Sequence, residues 1–243
     1  MPTLILTPRY TEDAQALWRA AGRRGWGVRR LTTWRVTDED RAAPDPVFHL
    51  DALMAPMQAA AFGYRLLEPA EDFLPRLPAE YRHREVRLTT LGIARSLPEP
   101  RFVKPPNDKS FPARVYSRDD MPNEFTDAVP VLVSEVVTWE MEFRCFVLNR
   151  DVVTLSVYLR DGTLQRDNDF AHTSAEEAEV RAVAGRVLAD PRVDFPAAAV
   201  LDVGTITGSG WAVVEANSAW GAGLYGCDPD TVLEVLRAAA VPA

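Results

Sequence analysis

The sequence predicts a mixed fold, an N-terminal α/β unit joined to an α+β unit, and three patterns carry that expectation. The chain opens as strand, amphipathic helix and strand. From Arg101 it changes to short β-branched and aromatic runs divided by turns. Its last third holds two amphipathic helices, each with its own start signal. The boundary between the two units is expected near residue 100, giving residues 1–100 and 101–243.

Thr3-Leu4-Ile5-Leu6-Thr7 reads as a short apolar strand. Thr11 can N-cap a helix whose apolar positions Ala14, Leu17, Trp18 and Ala21 recur at helical spacing, and Gly25 or Gly27 ends it. Val28 to Leu31 and Val47 to Leu50 read as further strands of a small parallel sheet, with a helix expected from Ala52 to Ala61. Pro69 to Pro78 is a Pro-punctuated connection, and Glu80 to Ile93 is expected to be helical.

Phe102-Val103, Ala113 to Tyr116, Val129 to Val137, Met141 to Leu148 and Val152 to Leu159 are expected to form an antiparallel meander. Asn149-Arg150-Asp151 is a tight turn joining the last two runs as a hairpin. Thr173-Ser174-Ala175-Glu176 is a capping box before a helix with Val180, Val183, Ala184, Val187 and Leu188 on one face. Strands follow near Val200 and Trp211. Asp228-Pro229 then starts a last helix with Val232, Leu233, Leu236 and Ala240 as its buried stripe.

Composition narrows the function. A chain of 243 residues can bury one substantial core or two coupled subdomains. The net charge of −8 gives no global attraction to nucleic acid or anionic membrane. Six arginines and no acid fall between Ala14 and Thr37, which reads either as a solvated face or as a patch for an anionic substrate. Cys145 and Cys227 have no Cys-x-x-Cys partner, and His49, His83 and His172 lack zinc-ligand spacing. No long apolar run or signal-peptide pattern is present, so the cytoplasm is the expected location. Gly221 to Gly226 spells G-x-G-x-x-G, but the strand and acid that should follow in a dinucleotide site are missing; a loop over a substrate fits better.

The chemistry concentrates on strand ends. Residues two apart on a strand share a face, so Glu215 and Asn217 project together after the apolar run Trp211 to Val214. A carboxylate beside an amide oxygen is a hard-oxygen pair suited to Mg²⁺. Taken alone, Glu215 reads equally as a solvated surface residue. If Val200 to Gly204 pairs as the neighbouring strand, Asp202 joins the same site. Lys104, in Arg101 to Pro105, places a lysine where a phosphate could meet it. Arg144 could serve such a site or simply balance Glu142 or Glu140.

Phe102-Val103-Lys104-Pro105, Val131 to Val136, Glu142 to Val147, Leu201-Asp202-Val203 and Val214 to Asn217, in this order, resemble the ATP-grasp superfamily. The subgroup resembled is one distinguished by two arginines and a lysine. The resemblance covers about residues 101–237 and implies an ATP-grasp fold with a pre-ATP-grasp subdomain before it. It implies ATP and Mg²⁺ as cofactors, Lys104 on the α- and β-phosphates, and Lys109 near the β/γ region in a loop with Asn107, Asp108 and Ser110. It further implies a hinge over Ser134, Glu135, Val136 and Val137 for adenine. Asp202, Glu215 and Asn217 would hold Mg²⁺, and Arg144 and Arg160 would serve the transferred phosphoryl group.

The implied reaction is ATP-dependent joining of a carboxylate and an amine, small-molecule or peptide, through an acyl phosphate. Phosphoryl transfer to another acceptor and nucleotide binding without turnover are the alternatives. The chain departs from the family pattern after Asn217, where Ser218-Ala219-Trp220-Gly221 replaces a Pro-Gly turn that usually touches the acceptor.

Overall fold

A computed structural model of the chain describes residues 1–107 and 109–243; Asp108 lies outside the described residues. The N-terminal unit comprises β1 (Thr3–Leu6), α1 (Glu12–Arg23), β2 (Gly27–Arg30), α2 (Asp38–Arg41), β3 (Pro46–His49), α3 (Ala55–Ala61) and β4 (Tyr64–Leu66). β1 lies between β2 and β3, parallel to both, as the opening β-α-β pattern predicts. The Thr11 hydroxyl accepts from Ala14 N–H at 3.1 Å, and Ala14, Leu17, Ala20 and Ala21 form the buried face of α1. Trp18 falls off that face: it is 46% exposed, and the Arg30 guanidinium sits over its ring.

The chain continues through α4 (Phe73–Arg76), α5 (Ala79–Arg82), β5 (Val86–Thr90), α6 (Leu91–Ser96), β6 (Arg101–Lys104), β7 (Arg114–Tyr116) and β8 (Pro130–Ser134). The helix expected over Glu80 to Ile93 is therefore corrected. Its middle is β5, whose backbone pairs with β8 from Val86 opposite Ser134 to Thr90 opposite Pro130. Long-range pairing overrides the weak local helix preference of an Arg- and Glu-rich segment.

β9 (Trp139–Leu148), β10 (Asp151–Arg160), β11 (Thr163–Leu164), α7 (Ser174–Ala189), β12 (Ala198–Ile206), β13 (Gly210–Asn217), α8 (Pro229–Ala238) and β14 (Ala240–Pro242) complete the fold. The single meander is also corrected. Four strands form one antiparallel sheet in the order β5-β8-β6-β7, and five form another, β11-β10-β9-β12-β13. Asn149 and Arg150 make the two-residue turn between β9 and β10, both at positive φ (50° and 70°). Arg150 is held there by donating to the Leu188 and Val193 carbonyls at 2.6 and 2.9 Å.

The five-stranded sheet separates its two faces by chemistry. Phe143, Cys145, Val147, Leu155, Val157, Leu201, Val203 and Val213 pack with Val180, Val183, Ala184, Val187 and Leu188 of α7. That helical stripe is the one the sequence predicts, and its Thr173–Glu176 capping box is formed. Burying each such aliphatic side chain contributes about 1.5–3 kcal/mol. The alternate positions of β9, β10, β12 and β13 carry Glu142, Arg144, Ser156, Asp202, Glu215 and Asn217 on the opposite face. The chain's last helix does not stay with this unit. Val232, Leu233 and Leu236 of α8 share a core with Leu4, Leu6, Leu17 and Phe48 of the N-terminal unit. Ala240, expected in that helix, begins β14, which pairs antiparallel with β4. Among the described residues no helix is long and apolar enough to cross a membrane.

Candidate functional site

Register gathers the predicted polar residues. Arg144 on β9 stands opposite Asp202 on β12, and Asp202 stands opposite Glu215 on β13. A register shift follows Asp202, so Val214 is the extra residue on β13. Gly204 lies opposite Glu142, where an added Cβ would come within 2.5 Å of the Met141 carbonyl oxygen, so glycine lets the strands close beside the site.

The contacts run unbroken from one lysine to one arginine. The Lys104 ammonium pairs with Glu215 Oε2. Asn217 Nδ2 donates to Glu215 Oε1 at 2.8 Å and to Asp202 Oδ2 at 3.2 Å. Arg144 donates from Nε to Asp202 Oδ1 at 3.1 Å and from Nη2 to Oδ2 at 2.7 Å. Arg144 Nη1 also donates to the Gly223 carbonyl at 3.0 Å. The partner of Arg144 is thus Asp202, not the Glu142 or Glu140 expected of a solvated sheet face.

Charge states follow from these contacts. Asp202 is completely buried, and burial pushes its carboxyl upward against the pull of Arg144. Burial also disfavours the Arg144 charge, but Asp202 outweighs this and raises its pKa. One N–H donor on each oxygen is the geometry of an ionised bidentate pair, and that is the state the contacts support. At Glu215 burial opposes the charge, yet Lys104 and the Asn217 amide hold the carboxyl down at about 2.

Two side chains that sequence reasoning left out of the site belong to it. Glu142 is 9% exposed; burial pushes its carboxyl up although Tyr158 O–H donates to its Oε2 at 2.6 Å. Its strand alternation with Arg144 was the available signal. Arg84 donates to the Val213 and Val214 carbonyls, both at 2.8 Å, capping the edge strand beside Glu215. Burial lowers its guanidinium pKa to about 10. No local sequence signal marks that long-range contact.

A cavity of about 340 Å³ opens between the two large sheets, with Lys104, Glu142, Tyr158 and Glu215 on its wall. Phe102, Val115 and Leu132 supply apolar wall, and Ser134, Glu135, Val136 and Val137 line its hinge side. Glu135 is turned to β5: its Oε2 accepts from Glu85 N–H at 2.7 Å, and its own N–H donates to the Glu85 carbonyl at 3.1 Å. Val136 and Val137 have no backbone hydrogen bonds among the described residues. They therefore leave N–H and C=O groups for a planar polar ligand edge.

A second cavity of about 680 Å³ lies beyond Arg144, against the N-terminal unit. Tyr158 and Tyr225, stacked at 5.3 Å, each line one of the two cavities. Lys109 is on the wall of this second cavity rather than the first. Arg160 is brought to neither: it pairs with Glu176 at 2.8 Å, in the first turn of α7. The glycine-rich loop is pinned, its Tyr225 carbonyl accepting from the Ser156 hydroxyl.

Asp202, Glu215 and Asn217 fit a hard divalent cation by donor type. All three offer oxygens, and the Asn217 amide touches both carboxylates, so their ends lie together. Carboxylate oxygens that accept one hydrogen bond keep a further lone pair. Among the described residues no group of three or more His, Cys, Asp or Glu side chains forms a competing metal cluster.

A family model described as an ATP-grasp domain, family 2 of the clade named for two arginines and a lysine, matches residues 81–235, more than half of the chain. No curated protein matches significantly. Among solved structures, the chain resembles D-cycloserine synthetase DcsG at 15% identity, covering 98% of this chain and 99% of that one, with a TM-score of 0.65. It resembles a RimK domain protein ATP-grasp from Sphaerobacter thermophilus DSM 20745 at 16% identity, 97% and 99% coverage and a TM-score of 0.58. It also resembles the macrocyclase MdnC, bound with precursor peptide MdnA, from Microcystis aeruginosa MRC, at 11% identity, 97% and 99% coverage and a TM-score of 0.56. At these identities the likeness is one of fold.

Proposed function

This chain belongs to the ATP-grasp superfamily, in family 2 of the two-arginine, one-lysine clade, and on that premise we propose that it is an ATP-dependent carboxylate–amine ligase. The observation that carries this reading is the contact series Lys104–Glu215–Asn217–Asp202–Arg144 beside the smaller cavity.

Adenine would lie between the apolar walls, its polar edge on the backbone of Val136 and Val137. The phosphates would draw Lys104 away from Glu215, exchanging one anionic partner for another. Glu215, Asn217 and Asp202 would hold Mg²⁺, which, when bound, offsets phosphate charge. Arg144 has three of its five N–H groups engaged, leaving two for the transferred phosphoryl group or the carboxylate.

Phosphoryl transfer depends mainly on positioning and charge neutralisation, which is what these residues offer. The substrate carboxylate attacks the γ-phosphorus; the bond to the β-bridging oxygen breaks, giving an acyl phosphate and ADP. The amine then attacks the acyl carbon. A C–N bond forms, the C–O bond breaks, and inorganic phosphate leaves with the electron pair while the nitrogen sheds its proton. Arg160, apart from this series, would act at most through α7. Relatives of this fold that include a D-cycloserine synthetase and a macrocyclase bound with a precursor peptide leave both small-molecule and peptide substrates open.

The test supplies Mg²⁺, ATP, hydroxylamine as the amine and a panel of carboxylic acids, amino acids and short peptides. Carboxylate-dependent ADP release with an equal yield of hydroxamate is expected. ADP release without hydroxamate would instead mean transfer to another acceptor. Tight ATP binding with no turnover would mean a non-catalytic nucleotide-binding protein.

A further inference from the structure

The larger cavity holds charges of both signs, and the way they are partnered is informative. Arg9 and Asp51 on its wall satisfy each other at 3.0 Å, and Arg9 also lies over the Trp34 ring. His49 is held neutral: burial lowers its pKa, and its Nε2 meets the Ala222 carbonyl at 3.2 Å. That leaves Asp13 and Lys109. Among the described residues neither has an ion-pair or hydrogen-bond partner, and both line this cavity.

Asp13 faces the reacting side. A Cβ added to Gly223 would meet Asp13 Oδ2 at 3.3 Å, and the Gly223 carbonyl is the one that accepts from Arg144. The glycine therefore keeps open the approach between this carboxylate and the phosphoryl-transfer site. Asp13 also belongs to the first turn of α1, where the helix dipole favours a negative charge. Lys109 follows β6, the strand carrying Lys104, and reaches the same cavity from the opposite unit.

Resting on the ligase reading, we propose that this cavity binds an α-amino-acid-like zwitterion, its ammonium on Asp13 and its carboxylate on Lys109. Complementarity selects the class. A simple amine would leave Lys109 unmatched, and a simple carboxylate would leave Asp13 unmatched; a zwitterion matches both in one molecule. Desolvated charges lacking a partner are costly, so a ligand carrying only one charge is discriminated against. The volume of about 680 Å³ falls within the range of small-ligand sites and admits an amino acid or a short peptide. With its ammonium toward Gly223, the zwitterion would present the nitrogen, once deprotonated, to an acyl phosphate formed beside Arg144.

The test is calorimetry on the full chain saturated with Mg²⁺ and AMP-PNP. The probes are the common amino acids of both hands and alanine dipeptides, each compared with propylamine and propionate. At least one zwitterion is expected to bind tenfold or more tightly than either single-charge compound. Asp13→Asn and Lys109→Gln should each weaken it tenfold or more without moving AMP-PNP affinity. Asp13→Asn could disturb α1, so Gly223→Ala provides a second arm. Its methyl would crowd Asp13 and should likewise weaken the zwitterion, with the melting temperature checked for both. Equal binding of propylamine or propionate, zwitterion affinity unmoved in these variants, or no zwitterion binding by a chain that binds AMP-PNP would overturn the proposal. Failure to bind AMP-PNP at all would instead remove the ligase reading beneath it.

Discussion

Arg144 and Asp202, opposite one another on neighbouring strands, form a two-pronged ion pair at 3.1 and 2.7 Å in which the carboxylate has no solvent exposure. Breaking such a pair by removing one partner strands the other charge, at a cost of about 3–5 kcal/mol. Arg144→Met and Asp202→Leu should each lose that much by urea unfolding, and the double variant should lose clearly less than their sum. Additive losses would show that the two side chains are not coupled. Arg144→Lys should also lose most ATP turnover, since the fork, not the charge alone, spans both oxygens.

Lys104 and Glu215 set a second pH-dependent contribution. The Glu215 carboxyl is held at about 2, below its ordinary 4.5, so its stabilisation is present above pH 4.5 and fades as pH falls toward 2. The nominal contribution is at most about 3 kcal/mol. Without nucleotide, Lys104→Met should be less stable than the parent at pH 7, with the difference shrinking toward pH 2–3. A difference constant with pH would count against the pair. Under the ligase reading, Lys104→Ala should also lower turnover on the order of a hundredfold or more, the scale of one lost transition-state donor.

Glu142 carries the opposite sign. Burial raises its carboxyl pKa, so between pH 4.5 and the raised value the folded chain binds more protons than the unfolded one. Its protonated form therefore stabilises fully below pH 4.5, and the effect is lost as pH rises through the folded value. Glu142→Gln keeps an acceptor for Tyr158 but cannot ionise. Its melting temperature relative to the parent should rise from pH 4 to pH 7.5; a flat difference would contradict the assignment.

Arg84 bridges two carbonyls of the edge strand next to Glu215. Hydrogen bonds from a charged donor contribute about 1.5–3 kcal/mol each, and the carbonyls can partly rehydrate. Arg84→Met should destabilise the fold by about 2–3 kcal/mol and weaken Mg²⁺-dependent nucleotide binding. Unchanged unfolding would show that the carbonyls find other partners.

Much of this was legible in the chain because local rules suffice where strands alternate and helices are capped. The β12–β13 pairing, the α7 stripe and the grouping of Asp202, Glu215 and Asn217 follow from period and spacing alone. What was illegible depends on contacts distant in sequence. Asp202 is 58 residues from Arg144, so only the sheet order reveals which carboxylate the guanidinium meets. The segment around Val86 looked helical because its fate as β5 is decided by β8. Lys109 read as a phosphate residue because it follows Lys104, yet the turn after β6 sends it to the other cavity. The division of nine strands between two sheets, with the cavity between them, likewise has no signature in any single run.

The most direct test of the account is calorimetric titration of AMP-PNP into the parent chain and into Glu215→Gln, with and without Mg²⁺. If Glu215 leaves Lys104 to hold Mg²⁺ as the phosphates arrive, the parent should bind at least tenfold more tightly with Mg²⁺ than without it. Glu215→Gln should lose most of that dependence while remaining folded. Equal Mg²⁺ dependence in the two proteins, or no nucleotide binding by the parent, would contradict it.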